Sequence, residues 1–519
     1  MANKSVFASI KKGRLLPTAT ARNAHGAPAY AYSDAHALAQ LAVTGTFGGM
    51  FYQSPQEELE YVLDVAEAVE PKFLAQAAIY ARRSGYMKDM PAVLLAILAR
   101  RDPVLFRAVF ARVIDNGKML RNFVQVIRSG QTGRKSLGSA PKAMVQNWLN
   151  QASDRALLNA NIGNDPSLAD VIRMVHPKPV SAEREALFAW IVGRPCDLSR
   201  LPQALQDWVA FKETGKGPVP DVPFQMLTQL ELSSAHWARI ARNGSWQMVR
   251  QNLNTFQRHG VFGVTKNVDH VAALLRDPQA IAKARAFPYQ LMVAAQNVNR
   301  DMPRAIVDAL HDAMELAVQN VPKVSGQVVA CPDVSGSMTW SVTGRRAGAS
   351  SVVRHVDVAA LVAASFQRVN RGCQVLPFDE EVRDVRLEPR DTILTNAGRL
   401  AALGGGGTNC SAPLQWLNDR GRKPDLVVFV SDNQSWVDAR AGGRGTMMLK
   451  EWEAIKRRNP AAKLVCIDIA PYGTTQAQTR DDVLNVGGFS DAVFDQIASF
   501  AAGQTGPDHW VGEIGKIDL

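Results

Sequence analysis

The apolar run Gln327–Pro332 ends directly on Asp333, Val334, Ser335, Gly336 and Ser337, and this junction constrains the fold more than any other segment. An uninterrupted apolar run of this length reads as a strand buried on both faces, the habit of parallel sheets covered by helices. The loop at its end offers a carboxylate and two hydroxyls at i, i+2 and i+4. A hard divalent cation such as Mg2+ takes oxygen ligands of this kind and keeps several waters. Two later segments add the same chemistry. Gly404–Thr408 carries a hydroxyl on a run of glycines, where backbone can approach closely, and Val427–Asp432 places an aspartate at the end of a second apolar strand. Each part alone is ordinary turn chemistry, because Asp, Ser and Gly are common turn residues. Three such parts in order predict a doubly wound α/β domain over residues 324–519, with a divalent cation held at its strand ends by Asp333, Ser335, Ser337, Thr408 and Asp432.

The rest of the chain carries a different signal. Residues 1–320 hold 37 Lys and Arg against 26 Asp and Glu, a surplus of 11, whereas residues 321–519 hold 22 of each. All of the formal net charge of +11 therefore lies in the first part. Its densest stretch, Arg100–Lys142, has ten Lys and Arg against only Asp102 and Asp115. Such a field attracts polyanions by releasing their counterions, although a single charge run is more often just a solvated face. The lopsidedness of this one favours nucleic acid.

From about Ala35 to Lys323 the pattern is one of successive amphipathic helices separated by Gly, Pro, Asn or Asp breaks. Leu120, Phe123, Val124 and Ile127 fall at i, i+3, i+4 and i+7 of one buried stripe, while Arg121, Gln125 and Arg128 share another face. Ser129 and Gly130 end that helix. Pro141 starts the next, with Met144, Val145, Trp148 and Leu149 as its buried stripe. Similar units are expected at Phe73–Arg83, Ala92–Arg100, Phe106–Ile114, Leu168–Val175, Glu183–Val192, Met248–Phe256 and Ile306–Val318. Paired helices of this length suggest an α-solenoid of the HEAT type over residues 1–323, in which each pair buries its apolar face by stacking on its neighbours.

Several function classes lack their parts. The sequence has no GxxxxGK[ST] loop, none of its nine histidines falls in an HxxxH or HExxH pattern, and nothing resembles the aromatic segments of an RNA-recognition motif. The five cysteines are scattered without CxxC pairs, which argues for a reducing, cytoplasmic setting and against zinc. No run approaches the roughly 18 apolar residues of a membrane span. Asp379, Glu380, Glu381 and Asp468 sit in or after apolar strands and could furnish a general base, but no nucleophile accompanies them, so a non-enzymatic role is expected.

The spaced set Asp333, Ser335, Ser337, Thr408 and Asp432 resembles the metal-ion-dependent adhesion site of von Willebrand factor A domains. In the first part of the chain, Thr44–Tyr52, Arg82–Pro91, Arg173–Pro179, Ser245–Asn254 and Ala284–Tyr289 look like successive blocks of the TROVE module. That pairing resembles the Ro autoantigen family, in its bacterial form. The resemblance implies a closed ring of helical repeats that binds Y RNA on its basic outer surface. It also implies passage of single-stranded 3′ ends of misfolded RNA through the ring, and association with the exoribonuclease polynucleotide phosphorylase through RNA. His176 aligns with a family histidine that contacts RNA, beside Arg173 and Lys178; a histidine before Pro177 also suits a helix cap. Family basic residues upstream are replaced here by Asn159 and Gly163. The expected RNA surface is therefore Arg121, Arg128, Arg134, Lys135, Lys142, Arg173, His176 and Lys178. The competing reading is a metal-dependent adhesion module whose helical half is a spacer.

Overall fold

The computed structural model describes residues 16–48, 50–284, 288–318, 321–342, 353–439, 445–470, 472–488, 491–504 and 509–519. Gly49 of the Thr44–Tyr52 block and residues 285–287 of the Ala284–Tyr289 block lie outside them. The chain divides into two compact units. One comprises residues 1–65, 285–297 and 311–514; the other comprises residues 66–284, 298–310 and 515–519.

The first unit contains eight short strands among the described residues: β1 (Ala21–Arg22), β2 (Pro28–Ala31), β3 (Val328–Pro332), β4 (Gln374–Val375), β5 (Leu426–Ser431), β6 (Lys463–Asp468), β7 (Thr474–Thr475) and β8 (Val483–Gly487). Five of them form a parallel sheet in the order β4-β3-β5-β6-β8. Every residue of β3, β5 and β8 is buried, as a sheet covered on both faces requires. Val329, Cys331, Val427, Phe429, Leu464 and Cys466 face one core, together with Leu414 and Leu417 of helix Ala412–Asp419 and Trp452 of helix Met447–Arg458. Helix His355–Val369 packs against β3, β4 and β5. The connection after β3 leads to β4 on one side, and the connection after β4 crosses to β5 on the other. The C-terminal ends of β3 and β5 therefore flank a switch point, where the two loops part and leave a crevice.

The domain boundary expected at residue 323 is not where the chain divides. β2 pairs antiparallel with β7, with Tyr30 opposite Thr475. The Tyr30 ring is fully buried in the same core as Phe378, Phe429 and Trp452, and the Ala24 amide donates to the Gln434 side-chain oxygen at 2.9 Å. Residues up to 65 therefore belong to the sheet unit. The charge asymmetry survives this correction and sharpens. The helical unit has 32 Lys and Arg against 20 Asp and Glu, or +12, and the sheet unit has 27 against 28, or −1.

The second unit has no strand among its described residues. Helices form where expected: Pro71–Arg83, Met90–Arg101, Pro103–Val113, Gly117–Arg128, Ser139–Gln151, Leu168–Val175 and Ala182–Ile191. Leu120, Phe123, Val124 and Ile127 are all fully buried, and the rings of Phe106, Phe110 and Phe123 meet at 5.5–5.8 Å. The expected helix Met248–Phe256 is two helices, Trp246–Gln251 and Leu253–Arg258. Asn252 separates them, its side chain donating to the Met248 carbonyl at 2.8 Å. Met144 and Trp148 are only half-buried, so the stripe of helix Ser139–Gln151 is narrower than expected.

Two buried histidines give the sheet unit a pH response. His355 at the start of its helix, and His36 stacked on Tyr32 at 4.4 Å, are both held neutral by burial, their pKa values lowered to about 4. The unfolded chain takes up a proton below about pH 6.5 and the folded chain does not until about pH 4. Each histidine thus removes stability as pH falls across that window, to a total of about 3 kcal/mol. His355→Leu removes one such group. Its stability relative to the parent, from urea unfolding, should rise by about that amount between pH 7 and pH 4. A pH-independent difference would contradict the assignment.

Candidate metal site and basic surface

Asp333 follows β3 and Asp432 follows β5, and both are buried, with Asp333 fully inaccessible and Asp432 at 2%. The Ser335 amide donates to one Asp333 carboxylate oxygen at 2.9 Å, and the Ser431 hydroxyl donates to the other at 2.6 Å. Ser335 and Ser337 bring their hydroxyls within 3.3 Å of each other. Gln434 donates its amide to Asp432 at 3.2 Å. Among the described residues no Lys or Arg pairs with either aspartate. Burial and the neighbouring Asp432 charge push the Asp333 carboxyl up to about 7, and burial raises Asp432 as well. Two carboxylates forced together without a cationic partner make a site that a cation would relieve.

The glycine loop closes the arrangement. Gly405 donates its amide to the Val334 carbonyl at 3.1 Å, and Gly336 donates to Gly406 at 2.9 Å. Gly404 has a left-handed backbone, φ 81°, and a Cβ there would land on the Val334 carbonyl oxygen. The loop can thus lie directly on the loop after β3, which brings in Thr408, 1% exposed, whose carbonyl accepts from the Trp436 and Val437 amides. All five residues named from the sequence sit on the three adjoining loops. Among the described residues no cluster of three or more His, Cys, Asp and Glu could hold a metal, so a site here would be a hard oxygen site with hydroxyls as well as carboxylates.

The neighbouring acids have other duties. Asp379 takes the Arg383 guanidinium at 2.7 Å, Glu380 accepts the Gly407 amide at 3.0 Å, and Asp468 accepts the Ala470 amide at 3.2 Å. Sequence reasoning missed Ser431 and Tyr52. Ser431 directly precedes Asp432, and strand alternation turns its hydroxyl toward Asp333. Tyr52 comes from the N-terminal segment. Burial and the charge of Asp432 push its phenol up to about 12.

In the helical unit the predicted phosphate ligands separate into groups. Arg121 does not face solvent: it is 9% exposed and donates to the carbonyls of Ile162 at 2.6 Å and Pro166 at 3.3 Å. Its guanidinium also lies against Gly163. Arg121 is thus a clamp on the 162–166 loop rather than a phosphate ligand. Arg121→Ala should cost about 2–3 kcal/mol by orphaning these carbonyls. An unchanged unfolding free energy in urea would contradict the clamp.

Arg128, Lys135, Lys142 and Lys178 are exposed, and Arg134 is half-exposed. Lys135 lies over Gly130, Arg134 over Gly138 and Arg100 over Gly133, so the loop after helix Gly117–Arg128 gathers three cations on its own glycines. Helix Ser139–Gln151 holds the second group. Its Gln146 donates to the carbonyls of Val175 at 2.6 Å and His176 at 3.3 Å, and Asn150 donates to Lys178 at 2.9 Å. Lys142, Gln146 and Asn150 are spaced i, i+4, i+8, so Lys142 shares the face that carries segment 175–178. His176 is the helix cap through its backbone, in a left-handed conformation with φ 48°, and its side chain is exposed. Arg173 is partly committed, donating to Val192 at 2.7 Å and pairing with Asp170 at 3.5 Å.

Residues 327–501 match a family model described as the Ro60 vWA domain. The RNA-binding protein RO60 of Deinococcus radiodurans is 27% identical over 526 residues, covering 93% of this chain and 95% of that protein. The Caenorhabditis elegans protein of the same name is 24% identical over 255 residues, 46% of this chain and 37% of the relative. The crystal structure of the Deinococcus radiodurans RO (RSR) protein superposes with a TM-score of 0.61 and 22% identity, covering 91% of this chain and all of that one, and carries the same fold of helices and sheet domain.

Proposed function

We propose, from the premise that this chain is a Ro-family protein, that it binds RNA through the basic surface of its helical unit. The observation that carries this reading is the +12 surplus of that unit, with Arg128, Lys135, Lys142 and Lys178 all exposed. Cations displayed this way engage phosphates with little regard for sequence, so RNA shape and exposed ends do the selecting. The finer reading follows the family resemblance. Y RNA is bound on the outer surface and single-stranded 3′ ends of misfolded RNA in a basic ring cavity. The chain acts as a non-enzymatic scaffold that assists an exoribonuclease such as polynucleotide phosphorylase.

A Mg2+ ion in the sheet unit is part of the proposal. Asp333, Ser335, Ser337, Thr408 and Asp432 would hold it, and two buried carboxylates lacking a cationic partner are what favour it. The ion would supply an electrophilic anchor for a partner's carboxylate. The chain's own residues shape and seal the pocket around that anchor.

Titrating a Y-like RNA across KCl concentrations tests the RNA reading. Four or more phosphate contacts should give a log–log slope steeper than about −3. A flat profile would favour the adhesion-module reading, in which chelator rather than salt controls the interaction.

A further inference from the structure

All five candidate metal ligands are buried, none more than 3% exposed, so a partner's carboxylate cannot reach them from bulk solvent unless something moves. The N-terminal segment of the same unit lies at this place. The Tyr52 ring packs on His25 at 4.8 Å and Phe51 at 4.7 Å. His25 in turn packs on Trp436 at 5.2 Å, and Phe51 on Trp340 at 6.1 Å. Those two tryptophans belong to the site's own loops: Trp436 donates its amide to Thr408 and Trp340 donates to Ser337. The Tyr52 amide donates to the Tyr472 hydroxyl at 3.3 Å, fixing the segment against the loop after β6. Phe51, Trp436 and Val437 are 46%, 41% and 39% exposed, three of the eight exposed large apolar side chains among the described residues.

We propose that Tyr52 caps the metal site in cis, held by its ring contacts and by its amide's bond to Tyr472, and that a ligand reaches the metal only when the Phe51–Tyr52 segment swings away. The exposed rings of Phe51 and Trp436 form the rim that such a ligand meets first. The cap makes Tyr52 a gating residue, one that sets how fast the metal exchanges and which ligands gain entry, without itself being required for the carboxylates to bind the ion.

This inference rests on the metal reading above, and the test separates the two. The full-length chain is loaded with Mn2+ as probe, and its release into excess EDTA is followed by stopped flow, alongside water-proton relaxation of the bound ion. Tyr52→Ala, which removes the covering ring, should speed release by about two- to tenfold, the weight of one aromatic pair, and show greater water access to the ion, whereas Tyr52→Phe keeps the ring and should stay near the parent rate. Mn2+ bound by the parent but released at the same rate from Tyr52→Ala overturns the cap and leaves the metal site standing. A parent that binds no Mn2+ removes the metal site and the cap together.

Discussion

Replacing Arg128, Lys135, Lys142 and Lys178 together by alanine should weaken RNA binding by about two to three orders of magnitude at 0.1 M salt, and should flatten the salt slope by up to about 3.6. The reasoning is additive charge bookkeeping. Each cation removed returns one phosphate to its counterions, and each contact carries about 0.7 of slope on a single strand and about 0.9 on B-form duplex DNA. These four side chains are exposed and none serves as a clamp in the way Arg121 does. The fold should therefore tolerate their loss, with the unfolding midpoint within a few degrees of the parent. Filter binding at several KCl concentrations reads both numbers. An unchanged slope with a folded protein would place the RNA elsewhere on the chain.

The second large effect is on the metal. Saturating Mg2+, at about 100 times its dissociation constant, should stabilise the parent by about 2.7 kcal/mol through mass action. Asp333→Asn should abolish that stabilisation, because it removes the carboxylate that Ser335 and Ser431 orient. Thr408→Ala should reduce it by less. Asp333→Asn also removes a buried charge that faces Asp432, so the metal-free variant should be no less stable than the metal-free parent. RNA affinity should stay within about twofold of the parent in both, since the cations proposed to engage phosphate lie in a separate compact unit. Thermal unfolding with and without Mg2+ checks the first statement and RNA titration the second.

The sheet unit was the more legible part of the sequence. Its strands are uninterrupted apolar runs, and parallel register places whatever follows β3 and β5 at one edge, so Asp333 and Asp432 could be paired across nearly a hundred residues. What the sequence did not reveal was the addition of the N-terminal segment to this unit, because β1 and β2 are two and four residues long and β7, the partner of β2, lies more than 440 positions away. Local pattern holds no information about such pairing. In the helical unit the periodicity gave helix positions to within a few residues. It did not separate a surface arginine from a buried clamp. Arg121 and Arg128 differ by two turns of one helix, yet the first is drawn inward by carbonyls of the 162–166 loop that no spacing rule reveals. The same holds for Gln146 and Asn150, ordinary surface amides by sequence that fix the backbone beneath His176 and Lys178.

The central claim is that RNA lies on the helical unit while the sheet unit holds the metal, and ultraviolet crosslinking of the full-length chain to a Y-like RNA, with mass-spectrometric mapping of the linked peptides, tests it most directly. Crosslinks concentrated within residues 128–142 and 173–178 are the expected result. Crosslinks confined to residues 324–514 would contradict it.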